Sequence, residues 1–572
     1  MVGSLADQPR MIGLAAAGLW RRVSRRLRSG PIARWRFSGR TPDRILIAPP
    51  DLRMADAHIA QEFYAGRIAL AGNSVETGGA SPFEINAPGQ EWQAALHNFR
   101  WLRHNREAGT ELASVHARTL VSDWLKLYGR TIEGFSWEPD IVSKRVIAWL
   151  QHSGTLLKDC NLEFYRAFLK SLAFQLRYLR IIAPGLETGE VKLRCRIALV
   201  FGALSLPVAT SKLTSATRNL ESELLTQIFP DGGHISRNPE AVLELLTDLL
   251  PLRQTYANQS ENPPRELIAA VERMLPALRF FRHCDGALAH FNGAGYAKQE
   301  RIAAVLRFDD AAGSPLSSAS HSGYQRLQMG YTTVVADTGL PPIASASQDA
   351  HAGCLSFELS SGRHRYVVNA GTDRFGPADF NLLSRTTAAH STATVNDTSS
   401  CRFAKSQTSR NLFGTPIVTG PRHVPVRRLS QSGSEGFLAS HDGFLRSFGV
   451  VHERQMILSQ GGSVLAGKDR FVDQAGFPLR TNNRNHIALR FHLHPLVAVS
   501  HNDDGQIVLT AGRDDSWVFT CGELTPAIDQ SVYFAGIRGP QKTKMILLEF
   551  DATNLSEVTW QFTRTALGNW SR

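Results

Sequence analysis

Asp349–Gly371, DAHAGCLSFELSSGRHRYVVNAG, and Arg385–Asn396, RTTAAHSTATVN, carry the most information about the fold. Small or polar residues alternate with apolar ones on either side of a Ser-Ser-Gly turn, the pattern of a strand pair. His351 and His390 flank that pair. Two imidazoles brought together from separate strands make a metal site, a proton-transfer site or a satisfied polar core, and the residues alone leave all three open.

Working outward, the same texture runs from about Phe291 to the C-terminus. Short alternating runs such as YQRLQMGYTTVVADTG, RQMILSQGG, HIALRFHLHP, QIVLTAGRDDSWVFTCG and TKMILLEFD are separated by turn residues, which predicts antiparallel sheets packed as a β-sandwich. Upstream, from about Asp51 to His290, apolar residues recur every three or four positions in EWQAALHNFRWLRH, SKRVIAWLQHS, FYRAFLKSLAFQLRYLRIIA and AVLELLTDLLPLRQTY. These are amphipathic helices joined by short loops, an all-α array in toroid or solenoid form; the lack of a fixed repeat weighs against the solenoid. FNGAGY and the Ser-rich DDAAGSPLSSASHSGYQR mark the change between them. The expected multidomain α and β chain therefore has a basic tail at 1–50, a helical domain at 51–290 and a β-sandwich at 291–572.

A chain of 572 residues exceeds one compact core, and 43% hydrophobic residues suffice to bury several. Lys and Arg total 63 against 51 Asp and Glu, so the net charge of +12 favours an acidic partner: a polyanionic glycan, a nucleic acid or an anionic lipid surface. No helix-turn-helix or RNP-like motif accompanies the charge, which argues against nucleic acid. The six cysteines are scattered without a CxxC pair, so neither a zinc ribbon nor a disulfide framework is expected. At the N-terminus the apolar run MIGLAAAGLW precedes the basic cluster RRVSRRLR. That order is the reverse of an ordinary cleavable signal and the run is too short to span a bilayer; the stretch is either a solvated tail or an Arg-rich amphipathic start in weak contact with a membrane surface.

Several motifs carry candidate chemistry. In FPDGGHISRNP, Asp231, Gly232 and Gly233 make a turn, and Asn238 with Pro239 starts the next helix. The turn is either a plain connection or a device that presents His234 for proton transfer and Arg237 for binding a carboxylate or sulfate. Asp349, His351, Asn369 and His390 belong to strands that could adjoin, with zinc or another divalent ion as one occupant. HDGFLRSFGVVHERQ groups His441, Asp442, Arg446, His452 and Arg454 on a ligand-facing edge or a solvated hairpin. In RFHLHP, His492 and His494 share a strand face two residues apart, a spacing that either chelates a metal or marks the solvated side of a strand whose Phe491 and Leu493 point inward. No phosphate-binding loop, dinucleotide fingerprint or GxSxG elbow stands out, so kinase, dehydrogenase and serine-hydrolase chemistry have no foothold.

Taken in order, FPDGGHISRNP, HAGCLSFEL, VVNAGT, RTTAAHSTATVND, HDGFLRSFGVVHERQMILS, LAGKDRF and RFHLHP resemble the heparinase II/III family of polysaccharide lyases over most of the chain. The resemblance implies an incomplete α/α toroid followed by an antiparallel β-sandwich. It also implies β-elimination on a uronic-acid-containing polysaccharide by a Tyr and His pair, a structural zinc in some members, and work in the cell envelope or periplasm. The expected proton-transfer groups are His234, His390 and Tyr324. Arg237, Asn238, Asp349, His441 and Arg446 are the expected substrate-binding groups, and His351, Asn369 and His390 the metal set. The match is incomplete: the family's tyrosine after DGGH corresponds to Ala241, with Val242 following, the first His of its HAHAD pattern to Asp349, and the last acidic position to Gly353. The metal-binding Asp corresponds to Asn369. The alternative expectation is therefore a noncatalytic polyanionic-glycan-binding or envelope-assembly protein that has lost the catalytic pair.

Overall fold

The computed structural model describes residues 8–29, 37–309, 315–373, 375–404, 406–479, 484–512 and 515–566. Two compact units emerge. One takes in Leu14–Ile228 and Glu244–Glu272; the other takes in the chain up to Gly13, Phe229–Leu243 and the chain from Arg273 onward.

The first unit is helical because its sequence supplies both the stripe and the stops. Asn161 accepts the Phe164 N–H at 2.8 Å and so caps Leu162–Ile182, whose Phe168, Leu169, Leu172 and Leu179 are buried. Each such side chain contributes roughly 2 kcal/mol by leaving water. Thr110 caps Glu111–Tyr128 in the same way, and Pro139 opens Pro139–Gln151 where its missing N–H costs nothing. Pro139–Gln151 packs on Leu162–Ile182 and on Glu190–Ser205. One short hairpin, Arg67–Leu70 paired with Asn73–Glu76, lies within the stretch expected to be helical throughout, because Ala71 and Gly72 both take positive φ and turn the chain.

Charges line the interior of this unit. Arg53 donates to Asp248 at 2.6 Å and to Asp51 at 3.2 Å, Arg100 pairs with Glu244 and Asp248, and Arg194 and Lys144 share Asp140. Carboxylates thus neutralise these cations from within.

Helix Gln8–Ser29 carries six arginines and no acidic residue, and its faces are inverted. Arg21 pairs with Glu187, and Arg25 reaches Glu138 at 2.9 Å and the Trp137 carbonyl at 3.2 Å. Ile12, Leu19, Trp20, Val23 and Leu27 recur at helical spacing on another face and are exposed, Trp20 by 69% and Leu27 by 70%. No described helix is long and apolar enough to cross a membrane.

The second unit is built on antiparallel sheets. The largest runs in the order Val426–Gln431, Ser434–Phe444, Val450–Ser459, Val464–Val472, Glu557–Ala566, Asp515–Cys521, Ile507–Ala511 and Val497–His501. A second holds Ala527–Tyr533, Gln541–Asp551, His486–His492 and Ala393–Val395; a third runs from Ser318–Ala319 through Tyr324–Met329, Thr332–Asp337 and Phe357–Ser361 to His364–Val367. All three feed one core, in which Phe357, Phe491, Trp560 and Phe562 are fully or almost fully buried. Burial in Val450–Ser459 alternates strictly, as expected for a strand with one wet face.

Candidate functional site

The turn at Phe229–Pro239 is locked by its own sequence. Gly232 has φ +82°, and a Cβ there would lie 1.9 Å from the Arg273 carbonyl oxygen, so only glycine fits. One Asp231 oxygen accepts the N–H groups of His321 at 2.8 Å and Ser322 at 2.7 Å. His234 is buried; its Nδ1 lies 2.8 Å from Ser236 Oγ and accepts the Ser236 N–H at 3.2 Å. Asn238 does a cap's work: its Oδ1 accepts the Glu240 N–H at 2.8 Å at the start of Pro239–Asn258.

Arg237, held at φ +58°, sends its guanidinium inward. Nε donates to the Ser322 carbonyl at 2.6 Å, Nη1 to Leu340 at 2.9 Å, and Nη2 to Gly323 at 3.0 Å and to the Asp337 carboxylate. Gly339 leaves room for it, since a Cβ there would meet Nη2 at 2.4 Å. Burial lowers the guanidinium's pKa, but the Asp337 charge outweighs it and the net shift is upward. Tyr324 lies beneath, with Arg237 Cζ 4.7 Å from its ring centre. Its hydroxyl donates to the Arg237 carbonyl and accepts from Asn292 Nδ2 at 2.7 Å. Burial raises the phenol's pKa. Asn292 also donates to Asp337 at 3.2 Å and accepts the His351 N–H at 3.1 Å, so the turn and the histidines belong to one hydrogen-bonded network.

His351 and His390 meet directly. His390 Nδ1 lies 2.7 Å from the Thr386 carbonyl oxygen, which only accepts, so the proton sits on Nδ1 and Nε2 accepts. His351 Nδ1, 2.9 Å from that Nε2, is then the donor, and His351 Nε2 accepts from Thr372 Oγ1 at 3.1 Å. Burial lowers both pKa values, His390 to about 4, so both rings are neutral near pH 7. Asn369 sits alongside: its Oδ1 accepts the Ser391 N–H at 3.1 Å, and its buried Nδ2 has no hydrogen-bond partner among the described residues. A zinc ion would need a lone pair from each imidazole, and each is already occupied; the third group turns an N–H2 rather than a carboxylate to the free side. The three expected metal-binding residues are neighbours, but as arranged they do not fit a cation.

Other expected site residues fall elsewhere. Asp349 is exposed and lies against Gly293, as does the Asn238 amide. His441 is buried, accepts the Gly443 N–H at 3.0 Å and faces the His452 ring, while Arg446 is exposed on the helical turn Leu445–Phe448. His492 corrects the expectation of a solvent-facing side chain. It is 4% exposed, with Nδ1 2.7 Å from Ser531 Oγ and Nε2 2.9 Å from the Ala388 carbonyl, because the strand is covered on both faces.

Two buried centres depart from the sequence reading: one around Glu358 was not named, and His452 and Arg454, expected on a ligand-facing edge or a solvated hairpin, are fully buried around Asp469. Glu358 accepts from His283 at 2.9 Å and from the backbone N–H groups of His290 and Asn369. Burial pushes its pKa up, but the His283 and His290 contacts win and hold it down at about 2. A glutamate between Phe357 and Leu359, inside a strand, was the available signal. Asp469 accepts from His452 at 2.6 Å, Arg454 at 2.8 Å and Trp560 Nε1 at 2.7 Å, while Arg454 also donates to the Leu355 and Ser391 carbonyls.

Comparison with known proteins places this geometry. The family described as "Heparinase II/III-like, C-terminal" matches residues 311–561. FtsZ-localized protein C of Caulobacter vibrioides (strain NA1000 / CB15N) is 31% identical over 557 residues, 93% of this chain and 94% of that protein. The chain belongs to the heparinase II/III-like family. Among solved structures of this fold, heparinase III superposes with a TM-score of 0.70 at 12% identity, covering 93% of this chain and 88% of that one. A mutant heparan sulfate lyase HepC from Pedobacter heparinus gives 0.61 at 15% identity, covering 99% and 90%. The fold is thus that of a polysaccharide lyase, with helices first and sheets second, and at these identities the chain is a divergent member of the heparinase II/III-like family.

Proposed function

We propose that this protein is a division-site assembly protein that keeps the lyase fold as a binding scaffold without the lyase chemistry. The observation that carries the reading is the state of its expected proton-transfer groups. β-Elimination needs one group to take the C5 proton of a uronate and one to protonate the leaving oxygen, each within reach of the sugar. His234, Tyr324 and His390 are each about 1% exposed or less, and each is hydrogen-bonded to its own surroundings. Arg237, the expected carboxylate-binding group, spends its guanidinium on protein oxygens.

What the scaffold binds is read from two further features. Likeness across nearly the whole length to a protein named for its localisation with FtsZ supports FtsZ polymers as the partner. The outward apolar stripe of helix Gln8–Ser29, edged by arginines, supports contact with an anionic membrane surface. The rival reading, cleavage of an acidic polysaccharide, is favoured by the fold and by Asp349 lying exposed beside the Asn238 amide.

One experiment with two readouts separates them. The full chain is sedimented with GTP-assembled FtsZ, and separately incubated with a panel of uronic polysaccharides while the ultraviolet absorbance of an unsaturated product is followed. Pelleting with polymer and a flat absorbance trace are expected. A rising trace overturns the noncatalytic reading; failure to pellet overturns the FtsZ assignment.

A further inference from the structure

We infer that the metal site which the family resemblance implies has been replaced here by a metal-free hydrogen-bonded relay, and that Asn369 decides between the two. The relay runs from Thr372 Oγ1 through His351 and His390 to the Thr386 carbonyl, and every proton in it has an assigned donor and acceptor. It joins three separate segments, at 351, 372 and 386–390, as a bound ion would. Two neighbours favour it over a metal. Gly353 leaves space for the His390 ring in this pose: a Cβ there would lie 2.7 Å from Cδ2 and 3.2 Å from Nε2, so a side chain at 353 would push the ring away from His351.

Asn369 supplies the second argument. Its Oδ1 is fixed by the Ser391 N–H, and its Nδ2 is buried without a partner among the described residues. An aspartate in its place could keep the Ser391 contact with one oxygen, while the other would carry buried negative charge where Nδ2 now sits. Buried charge needs a counter-charge. The two imidazoles are neutral, so a divalent cation would be the natural partner, and breaking the His351–His390 hydrogen bond would free both lone pairs to hold it. The neutral amide removes that demand. This inference stands whether or not the chain cleaves a glycan.

The test counts metal. The full chain, equilibrated with zinc and then exchanged into zinc-free buffer, is expected to retain less than about a tenth of an equivalent by elemental analysis and to melt at the same temperature with and without chelator. Asn369→Asp is expected to retain about one equivalent and to melt several degrees higher with zinc than without. Thr372→Val is expected to leave the metal content at the wild-type level while lowering the melting temperature. About one tightly held zinc in the wild type overturns the proposal. Asn369→Asp that takes up no zinc, folded or not, overturns the assignment of Asn369, and an unchanged melting temperature in Thr372→Val overturns the relay.

Discussion

Arg237 occupies a backbone angle that ordinary residues avoid, and the return on that strain is a guanidinium whose donors reach three carbonyls and one carboxylate. Replacing it with alanine leaves Asp337 as a buried, uncompensated charge, for which a loss of about 3–5 kcal/mol is expected in chemical denaturation. Arg237→Lys should recover little of it, because an ammonium cannot fork to the same set of oxygens. A loss below about 1 kcal/mol in the alanine variant would instead mean a surface-like ion pair, available to a substrate. The contrast explains what was legible here. Gly-Gly, Asn and Pro announce the turn locally, whereas Asp337 lies 100 residues downstream and no spacing rule points to it. His234 and Tyr324 could be named as chemically able from sequence, but their availability depends on hydrogen bonds that only the folded chain makes.

At the scale of elements, alternation and helical period identified the sheets and most helices because both are local consequences of one buried face. They failed where a strand is covered on both sides, as at His492, and where a two-residue turn interrupts helical texture, as at Ala71 and Gly72. Helix Gln8–Ser29 is a different case: its apolar run and basic cluster were legible in what was expected to be a tail, but the helix and the face that turns inward were not. The inward face carries Arg21 and Arg25 to Glu187 and Glu138, leaving Trp20 and Leu27 exposed. Because those side chains are exposed, Trp20→Glu with Leu27→Glu should change folding stability by no more than about 0.5 kcal/mol per site. The same pair should abolish most flotation with vesicles containing anionic lipid, since it removes apolar insertion and adds two like charges facing the headgroups. Unaltered flotation at physiological salt would rule out this helix as the membrane contact.

Over the whole molecule, the surplus of positive charge and the buried histidines have separate consequences. Arg53, Arg100, Arg194 and Lys144 are matched by internal carboxylates, so they add little to the field that an acidic partner would meet. The histidines govern the response to acid. Burial is the first cause of the lowered pKa in each: His290 and His390 fall to about 4, and His97, His104, His492 and His494 to about 3. An unfolded chain protonates such residues near pH 6.5, the folded chain only well below it, so between these values the unfolded state binds more protons and stability falls as pH falls. Glu358 adds to this lower down, because its carboxylate is held at about 2 when folded and titrates near 4.5 when unfolded. A fully buried histidine of this kind contributes on the order of a few kcal/mol once pH drops below its folded value, and here several act together. The melting temperature is therefore expected to be nearly level above pH 7, to decline from about pH 6.5, and to collapse before pH 4. A scan of thermal unfolding against pH at constant ionic strength checks this. A profile flat down to pH 5 would mean that the imidazoles gain protons in the folded state, and that the neutral His351–His390 pair is not what holds those segments together.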